Sequence, residues 1–417
     1  KKGAGVAVGG GSKKSLSDGL VGYWKMDEGV GTSIADSSGV GYTATFAAGD
    51  SAPSWSSGKF GIGVSFDGSN DWIDFGNPNL SSLTKATFSF WRKGPDTPAS
   101  WLFVKGQGGT YYIMATSGGS GNFYHMNASG TKTIYVDGVV SLAPPTDNKW
   151  HHYVISDVNL STWTTLRLND YPSGWQYKGL VDEVRLYNRA LTAEEVKDLY
   201  EYAPGPIAYY NFDENIGTTA YDRSGNGYNM SLKGTTSWAK GKIGGGISTN
   251  IGTSTFTEIP NTNSLIFPAL TLTGWFKINS NNGSWWKGLI ARGANSTNGF
   301  GIAYNSASNF IFRIYTSSLV QRSVASPVPV NQWFYATLVY DGAYMYSYIN
   351  GIQQYKDAQT GQINASGANI RLGDWDNDYT DKHIDANFDE VKIYNYARTQ
   401  KQIIEDMNAG ASSASRK

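Results

Sequence analysis

Residues 179–200 read GLVDEVRLYNRALTAEEVKDLY, and residues 387–407 read NFDEVKIYNYARTQKQIIEDM. Both stretches run Asp-Glu-Val, a basic residue, an aliphatic residue and Tyr-Asn, then a helix start. The β-branched and aromatic residues around Asp-Glu suit a strand. Thr192 with Glu195, and Thr399 with Gln402, have the spacing of a capping box. Val196, Leu199 and Tyr200, like Ile403, Ile404 and Met407, recur at helical spacing. Each stretch therefore predicts a strand followed by one short helix packed on the rest of a domain. A closing phrase written twice predicts two domains.

The opening phrases repeat as well. LVGYWKMDEGVGTSIADSSGVGY (20–42) aligns without a gap with PIAYYNFDENIGTTAYDRSGNGY (206–228). Further in, GKFGIGVSF (58–66) answers GKIGGGIST (241–249), Trp91 answers Trp275, LFVKG (102–106) answers LIARG (289–293), and NKWHHYVIS (148–156) answers NQWFYATLV (331–339). Landmarks recurring in one order mark a tandem duplication, and the period is too long for a solenoid. The copies span about 20–202 and 206–408. Residues 1–19 are a Gly/Ser/Lys tract with little to bury, and 409–417 are a polar tail.

Between the landmarks most segments alternate with period two. Phe310, Phe312 and Ile314 share one face of NFIFRIY; Tyr344, Tyr346 and Tyr348 oppose Met345 and Ile349 in YMYSYIN. Asp137-Gly138, Asp341-Gly342 and Asn350-Gly351 punctuate such runs as turns. Many short strands without intervening helices predict an all-β fold of two antiparallel sandwiches, each closed by a short C-terminal helix.

Composition narrows the function. The chain has 417 residues, 34 Lys plus Arg against 34 Asp plus Glu, and no Cys. A balanced charge lacks the basic face that a nucleic-acid binder needs to replace counterions. Without Cys there are no disulfides, no Cys-ligated zinc and no thiol catalysis. No apolar run approaches the roughly 20 residues of a membrane span. The chain opens on Lys1 with neither Met nor a signal-peptide pattern, so a processed or trimmed start is expected.

The combined pattern resembles the laminin-G-like domains of the concanavalin A-like lectin/glucanase superfamily. It consists of Tyr-Trp-x-Met-Asp-Glu with Gly-Thr, then Asp-x-Ser-Gly-x-Gly, Gly-Lys-x-Gly, Trp-His-His and Asp-Glu-Val-Arg-Leu-Tyr-Asn-Arg-Ala-Leu. The resemblance covers nearly the whole chain and implies two tandem jelly rolls. In one respect the first copy departs from it. The family's Tyr-Val-Asp-Gly stretch usually follows the Trp-His-His strand, whereas here IYVDG (134–138) precedes WHHY (150–153).

The resemblance also implies a structural Ca²⁺ in each domain, held by Asp36 with Asp182 and by Asp222 with Asp389, helped by Glu28 and Glu214. The competing reading is that Asp36 and Asp222 cap their turns through Asx hydrogen bonds while Asp182 and Asp389 start a strand. For carbohydrate, Trp285, Trp286, Trp375 and Tyr379 lie in Gly/Asn/Ser/Asp-rich segments beside Asp376. Exposed rings there would stack on a pyranose while polar groups take its hydroxyls; loop anchoring is the alternative. His151 and His152 are strand neighbours on opposite faces and read as packing residues. No Glu-x-Asp-x-x-Glu of laminarinase-like enzymes occurs, and no Ser-His-Asp arrangement stands out, so no catalytic residue is expected. The expected protein is a non-catalytic extracellular or cell-surface module that binds glycans or surface proteins. A structural surface or filament subunit and a glycoside hydrolase are the alternatives.

Overall fold

The computed structural model describes residues 16–94, 112–116, 123–126, 132–145, 147–170, 176–251, 255–260, 267–280, 286–293, 298–305, 309–325, 329–364, 368–375 and 382–408. The chain divides into two compact units, Lys1–Ala203 and Pro204–Lys417. Among the described residues each is an antiparallel β structure carrying one short α-helix.

In the first unit the larger sheet runs, edge to edge, through Val139–Val140, Thr133–Val136, His151–Val158, Ala86–Lys93, the closing strand Lys178–Tyr187, Ile62–Asp67 and Ser54–Ser57, with the opening strand Leu20–Trp24 also paired to the closing strand. A smaller sheet of Ser33–Ile34, Ala44–Phe46, Ile73–Asp74 and Arg167–Leu168 accompanies it. Phe66, Phe88, Phe90, Ile155, Val184 and Leu186 of the large sheet and Ile73 and Leu168 of the small one share a buried core. The alternate side chains of these strands face away from it, as the pleat requires. In the second unit one sheet runs through Ser237–Lys240, Gly245–Thr249, the closing strand Ala386–Tyr394, Leu270–Ile278, Trp333–Tyr340, Tyr344–Ile349 and Ile352–Ala358, with the opening strand Ala208–Tyr210 on the closing strand. Eight further strands form its second sheet. Phe310, Phe312 and Ile314 enter the core together with Met345 and Ile349.

The displaced IYVDG stretch is rewired in order but not in place. In the second unit Tyr344–Ile349 pairs with Trp333–Tyr340 and follows it in the chain. In the first unit Thr133–Val136 pairs with His151–Val158 on the same flank but precedes it. The register matches to the residue. The Asp137 N–H donates to the His152 carbonyl, and the His152 N–H donates back to Asp137 Oδ1 at 2.9 Å. Asn350 and Tyr335 exchange the same two bonds, the second at 2.8 Å. Both turn residues take positive φ, 50° in each case, which Asn and Asp tolerate better than other side chains.

The helices close each unit as their sequences require. Helix α1, Ala193–Glu201, has Thr192 and Glu195 bonded reciprocally in a capping box. Helix α2, Gln400–Asn408, has the Thr399 N–H on Gln402 Oε1 at 2.9 Å and the Gln402 N–H on Thr399 Oγ1 at 3.3 Å. Val196 and Leu199 pack with Tyr135, Val154 and Tyr187; Ile403 packs with Tyr335, Val339 and Tyr348.

Candidate functional site

The closing strand changes partners along one flank, and the Asp-Glu pair sits at the change. Lys178–Val181 pair with Val64–Asp67, whereas Val184–Tyr187 pair with the opening strand. Asp182 and Glu183 lie between. In the second unit Ala386–Phe388 pair with Ile247–Thr249 and Val391–Ile393 with Ala208–Tyr210, leaving Asp389 and Glu390 between. On the opposite flank the ladder gains one residue at this point in both units. The extra residue is accommodated by a bulge in which Glu183 and Glu390 take φ of 57° and 50°. The twist lets two adjacent carboxylates serve two different strands.

The Asp reaches toward the Gly-Lys-x-Gly turn. Asp182 Oδ2 accepts the N–H groups of Lys59 and Phe60 at 2.7 and 2.9 Å, and Oδ1 accepts that of Glu183 at 2.8 Å. Asp389 likewise accepts from Ile243 and Glu390, both at 2.8 Å. Gly58 and Gly241 are required here, since a Cβ at either would stand 2.6 Å from the carboxylate oxygen. The Glu reaches the other way. Tyr23 Oη donates to Glu183 Oε2 at 2.6 Å, with Arg185 ion-paired to the same oxygen at 2.6 Å and stacked 4.0 Å from the Tyr23 ring centroid. Tyr209 donates to Glu390 at 2.8 Å, with Lys392 at 3.8 Å. Burial pushes the Asp182 carboxyl up, reinforced by the Glu183 charge; burial pushes Asp389 up to about 7.

Asp36 and Asp222 hold the opening turn. Asp36 accepts the N–H groups of Tyr23, Ser38, Gly41 and Tyr42 at 2.8–3.0 Å and the Ser38 hydroxyl at 2.8 Å. Asp222 accepts from Tyr209, Ser224 and Tyr228 in the same pattern. Glu28 Oε1 takes the Ala35 N–H, and Glu214 Oε1 the Tyr221 N–H and Arg223.

These residues do not fit the calcium sites that the resemblance implies. A cation needs oxygens facing it, and the oxygens of Asp36, Asp182, Asp222 and Asp389 already face N–H and O–H donors, whose positive ends would repel one. Among the described residues no three His, Asp or Glu side chains are grouped to share a metal ion. For Asp36 and Asp222 the hydrogen bonds are those of the turn-capping alternative, whereas Asp182 and Asp389 lie inside the closing strand rather than at its start.

The carbohydrate expectation also needs correction where the structure describes it. Trp375 is 4% exposed and packs on Ala291, Ala303 and Ile311, with Trp286 edge-to-face at 6.1 Å. Its ring is a cover for the second sheet rather than an open platform. Trp285, Asp376 and Tyr379 lie outside the described residues. The two histidines diverge as expected. His152 is buried, its Nε2 2.8 Å from Ser89 Oγ, while His151 lies between Asp137 at 2.6 Å and Asp147 at 2.8 Å.

Two constellations escaped the sequence reading. Arg167 pairs with Asp74 and Asp170, each at 3.0 Å, and stacks on Trp72 at 4.4 Å. Arg371 pairs with Glu258 at 3.0 Å and Asp374 at 2.8 Å and stacks on Phe256 at 4.3 Å. The repeated Arg-Leu-x-Asp of 167–170 and 371–374 was the available signal. These clasps join neighbouring strands of the second sheet in each unit.

The second constellation surrounds the Asp213–Gly217 turn of the second unit. One shallow depression of about 520 Å³ is lined by Glu214, Ile216, Gly217, Thr218, Thr219, Tyr221 and Arg223. Another, of about 530 Å³, is lined by Asp213, Asn215, Trp238, Lys240 and neighbouring backbone. Tyr221 is 53% and Ile216 78% exposed. Arg223 reaches Glu214 Oε1 at 2.8 Å; the Glu214 side chain is only 7% exposed, and its Oε2 is buried without a hydrogen-bond partner. The gapless alignment of the opening phrases carried the signal: Tyr221 and Arg223 stand where the first copy has Ala35 and Ser37.

No curated protein sequence matches the chain. Solved structures similar to it include domain 4 of the GH43 extracellular arabinanase AbnA of Geobacillus stearothermophilus, in complex with arabinotriose, at 19% identity over 48% of this chain and 98% of that one, TM-score 0.41. The binding domain of Paraclostridial Mosquitocidal Protein 1 is similar at 15% identity over 49% of this chain and 52% of its own, TM-score 0.42. The receptor-binding domain of the botulinum neurotoxin C/D mosaic serotype is similar at 15% identity over 51% and 52%, TM-score 0.40. This chain thus spans about half the length of the two toxin domains. The family model described as the concanavalin A-like lectin/glucanases superfamily, of the laminin G type, matches residues 67–168 in the first unit and 251–404 in the second. With both units built as antiparallel sandwiches and the family matched in each, the chain belongs to the concanavalin A-like lectin/glucanase superfamily.

Proposed function

We propose that this protein is a non-catalytic module, working outside the cell or at its surface, that binds glycans or surface proteins through its second domain. The observation that carries this reading is the surface around Asp213–Gly217. An exposed ring and an exposed aliphatic side chain border open depressions beside an Arg–Glu pair, the mixture of apolar face and directed polar groups that small ligands use. The similar solved structures carry no weight in this choice. The first domain has Ala35 and Ser37 at the matched positions and acts as a spacer. A non-catalytic role agrees with the commitment of the paired acids: Asp182 and Glu183 are buried and hold backbone and Tyr23, leaving no pair of carboxyls there to flank a scissile bond.

The test is a glycan array probed with the full chain and with Tyr221→Ala. Binding by the wild type that falls in the variant, with the melting curve unchanged, supports the reading. An array and a panel of immobilised surface proteins both blank for the wild type would leave a structural surface subunit as the better description. Release of reducing sugar from mixed polysaccharides would instead identify a glycosidase.

A further inference from the structure

We infer that the Val6-Ala7-Val8 stretch of the N-terminal tract docks as an added strand on the exposed sheet edge of the first unit, at Val139–Leu142. The occupant is a segment of this same chain. The edge belongs to the first unit and plays no part in the ligand surface proposed above.

The edge calls for a cover. Val139–Val140 is the outermost strand of the larger sheet, and Pro144-Pro145, which cannot donate to a ladder, follow shortly after it. Val139, Val140 and Leu142 are 65%, 63% and 77% exposed. No charged residue lies between Val139 and Pro145. At the matched edge of the second unit the strand runs on through Ile352–Ala358 and carries Gln353, Gln354, Lys356 and Asp357. Sheets guard an edge with such side chains or by covering it, and an aliphatic edge without charge has only the second means. A pairing direction is open as well. The Ser141 N–H donates inward to the Ile134 carbonyl, so the Val140 N–H, one residue away, faces out of the sheet along the free edge.

The segment can reach this edge. The described residues begin at Leu16, whose carbonyl accepts the Tyr187 hydroxyl at 3.0 Å and whose side chain packs on the cluster of Tyr135, Val154 and Tyr187. Val140 stands opposite Tyr135, on the same face of the sheet. From the closing strand, where Tyr187 lies, to the edge is four strand steps of about 4.8 Å each, roughly 19 Å. Val8 is eight residues before Leu16, an extended reach of about 26 Å.

Composition fits the same path. Val6-Ala7-Val8 stands between Gly5 and Gly9, its β-branched residues suit a strand, and Val6 and Val8 share one face of it. Residues 1–15 carry four Lys and no acid, whereas helix α1, packed over the intervening strands, carries four acids against Lys197. Opposite charges favour a route along that helix.

The experiment is disulfide trapping in the full chain, which has no Cys of its own. Val8→Cys is combined with Leu142→Cys, and Val8→Cys with Ile352→Cys is the comparison. Mild oxidation of dilute protein should link the first pair within one chain about tenfold or more faster than the second, because docking raises the local concentration of the partner thiol. A second readout leaves the edge itself unaltered. Val6→Asp together with Val8→Asp should speed amide exchange at Val140 severalfold while both melting transitions stay in place. Disulfides mainly between chains would assign the edge to a second copy. Equal trapping rates in the two pairs, or Val140 exchange indifferent to the double Asp variant, would leave it to a foreign partner. Each of these results overturns the inference.

Discussion

Tyr23→Phe removes one hydroxyl and nothing else, and it tests why the closing phrase occurs twice. The lost bond is 2.6 Å long, buried, and made to a carboxylate oxygen that also pairs with Arg185. Such bonds contribute about 1.5–3 kcal/mol. Glu183 keeps Arg185 at 2.6 Å, and the phenylalanine ring keeps its contact with the guanidinium, so a value near the middle, about 2 kcal/mol, is expected. The first unit spans about two hundred residues, for which 1 kcal/mol corresponds to about 2–4 °C. Its transition should therefore move down by about 4–8 °C in differential scanning calorimetry. Tyr209→Phe should move the other transition by less, because Tyr209 is only partly buried and water can replace its hydroxyl. A first transition that stays in place in Tyr23→Phe would refute the view that the bulged Glu fastens the opening strand.

The second domain should lose stability as pH rises from about 4 to 7. Asp389 titrates near 7 when folded and near 4 when unfolded, so the folded state holds the extra proton in that window; Asp389→Asn should flatten the slope of the second transition. His152 works in the opposite sense. Burial drives its pKa down to about 3, so its ring stays neutral by NMR at pH 5, and its contribution is lost as pH falls below the unfolded value near 6.5. EDTA should leave both transitions unmoved, and a rise on adding Ca²⁺ would restore the cation reading of Asp36 and Asp222. Trp375→Ala should cost the second domain about 3–5 kcal/mol in denaturant unfolding, as deletion of a buried Trp does. A loss confined to ligand binding would instead place that ring on the surface.

The local patterns were legible because each rests on chemistry within a few residues. Thr192 with Glu195 and Thr399 with Gln402 cap their helices as spaced, since a capping box involves only four consecutive residues. Phe310, Phe312 and Ile314 face the core because the pleat has period two. Trp375 was misread because exposure is not a local property. Nothing near it in sequence announces that Ala291, Ala303 and Ile311, on strands far along the chain, pack against it.

Two units, each a sandwich with a closing helix, and the joint recurrence of the acids in the opening and closing phrases are all readable from the chain. Those facts are carried by repetition, periodicity and capping, all readable along a line. What the acids do depends on contacts between strands remote in the chain, which the folded sheets alone reveal. Asp182 and Asp389 fall where the closing strand leaves one partner for another, so they meet N–H groups more than a hundred residues away. The tertiary structure likewise decided that IYVDG, reached from the opposite direction along the chain, occupies the same place in the sheet as its counterpart. A sheet fixes which backbones lie side by side, and hydrogen bonds between strands are indifferent to the order in which the chain supplies them.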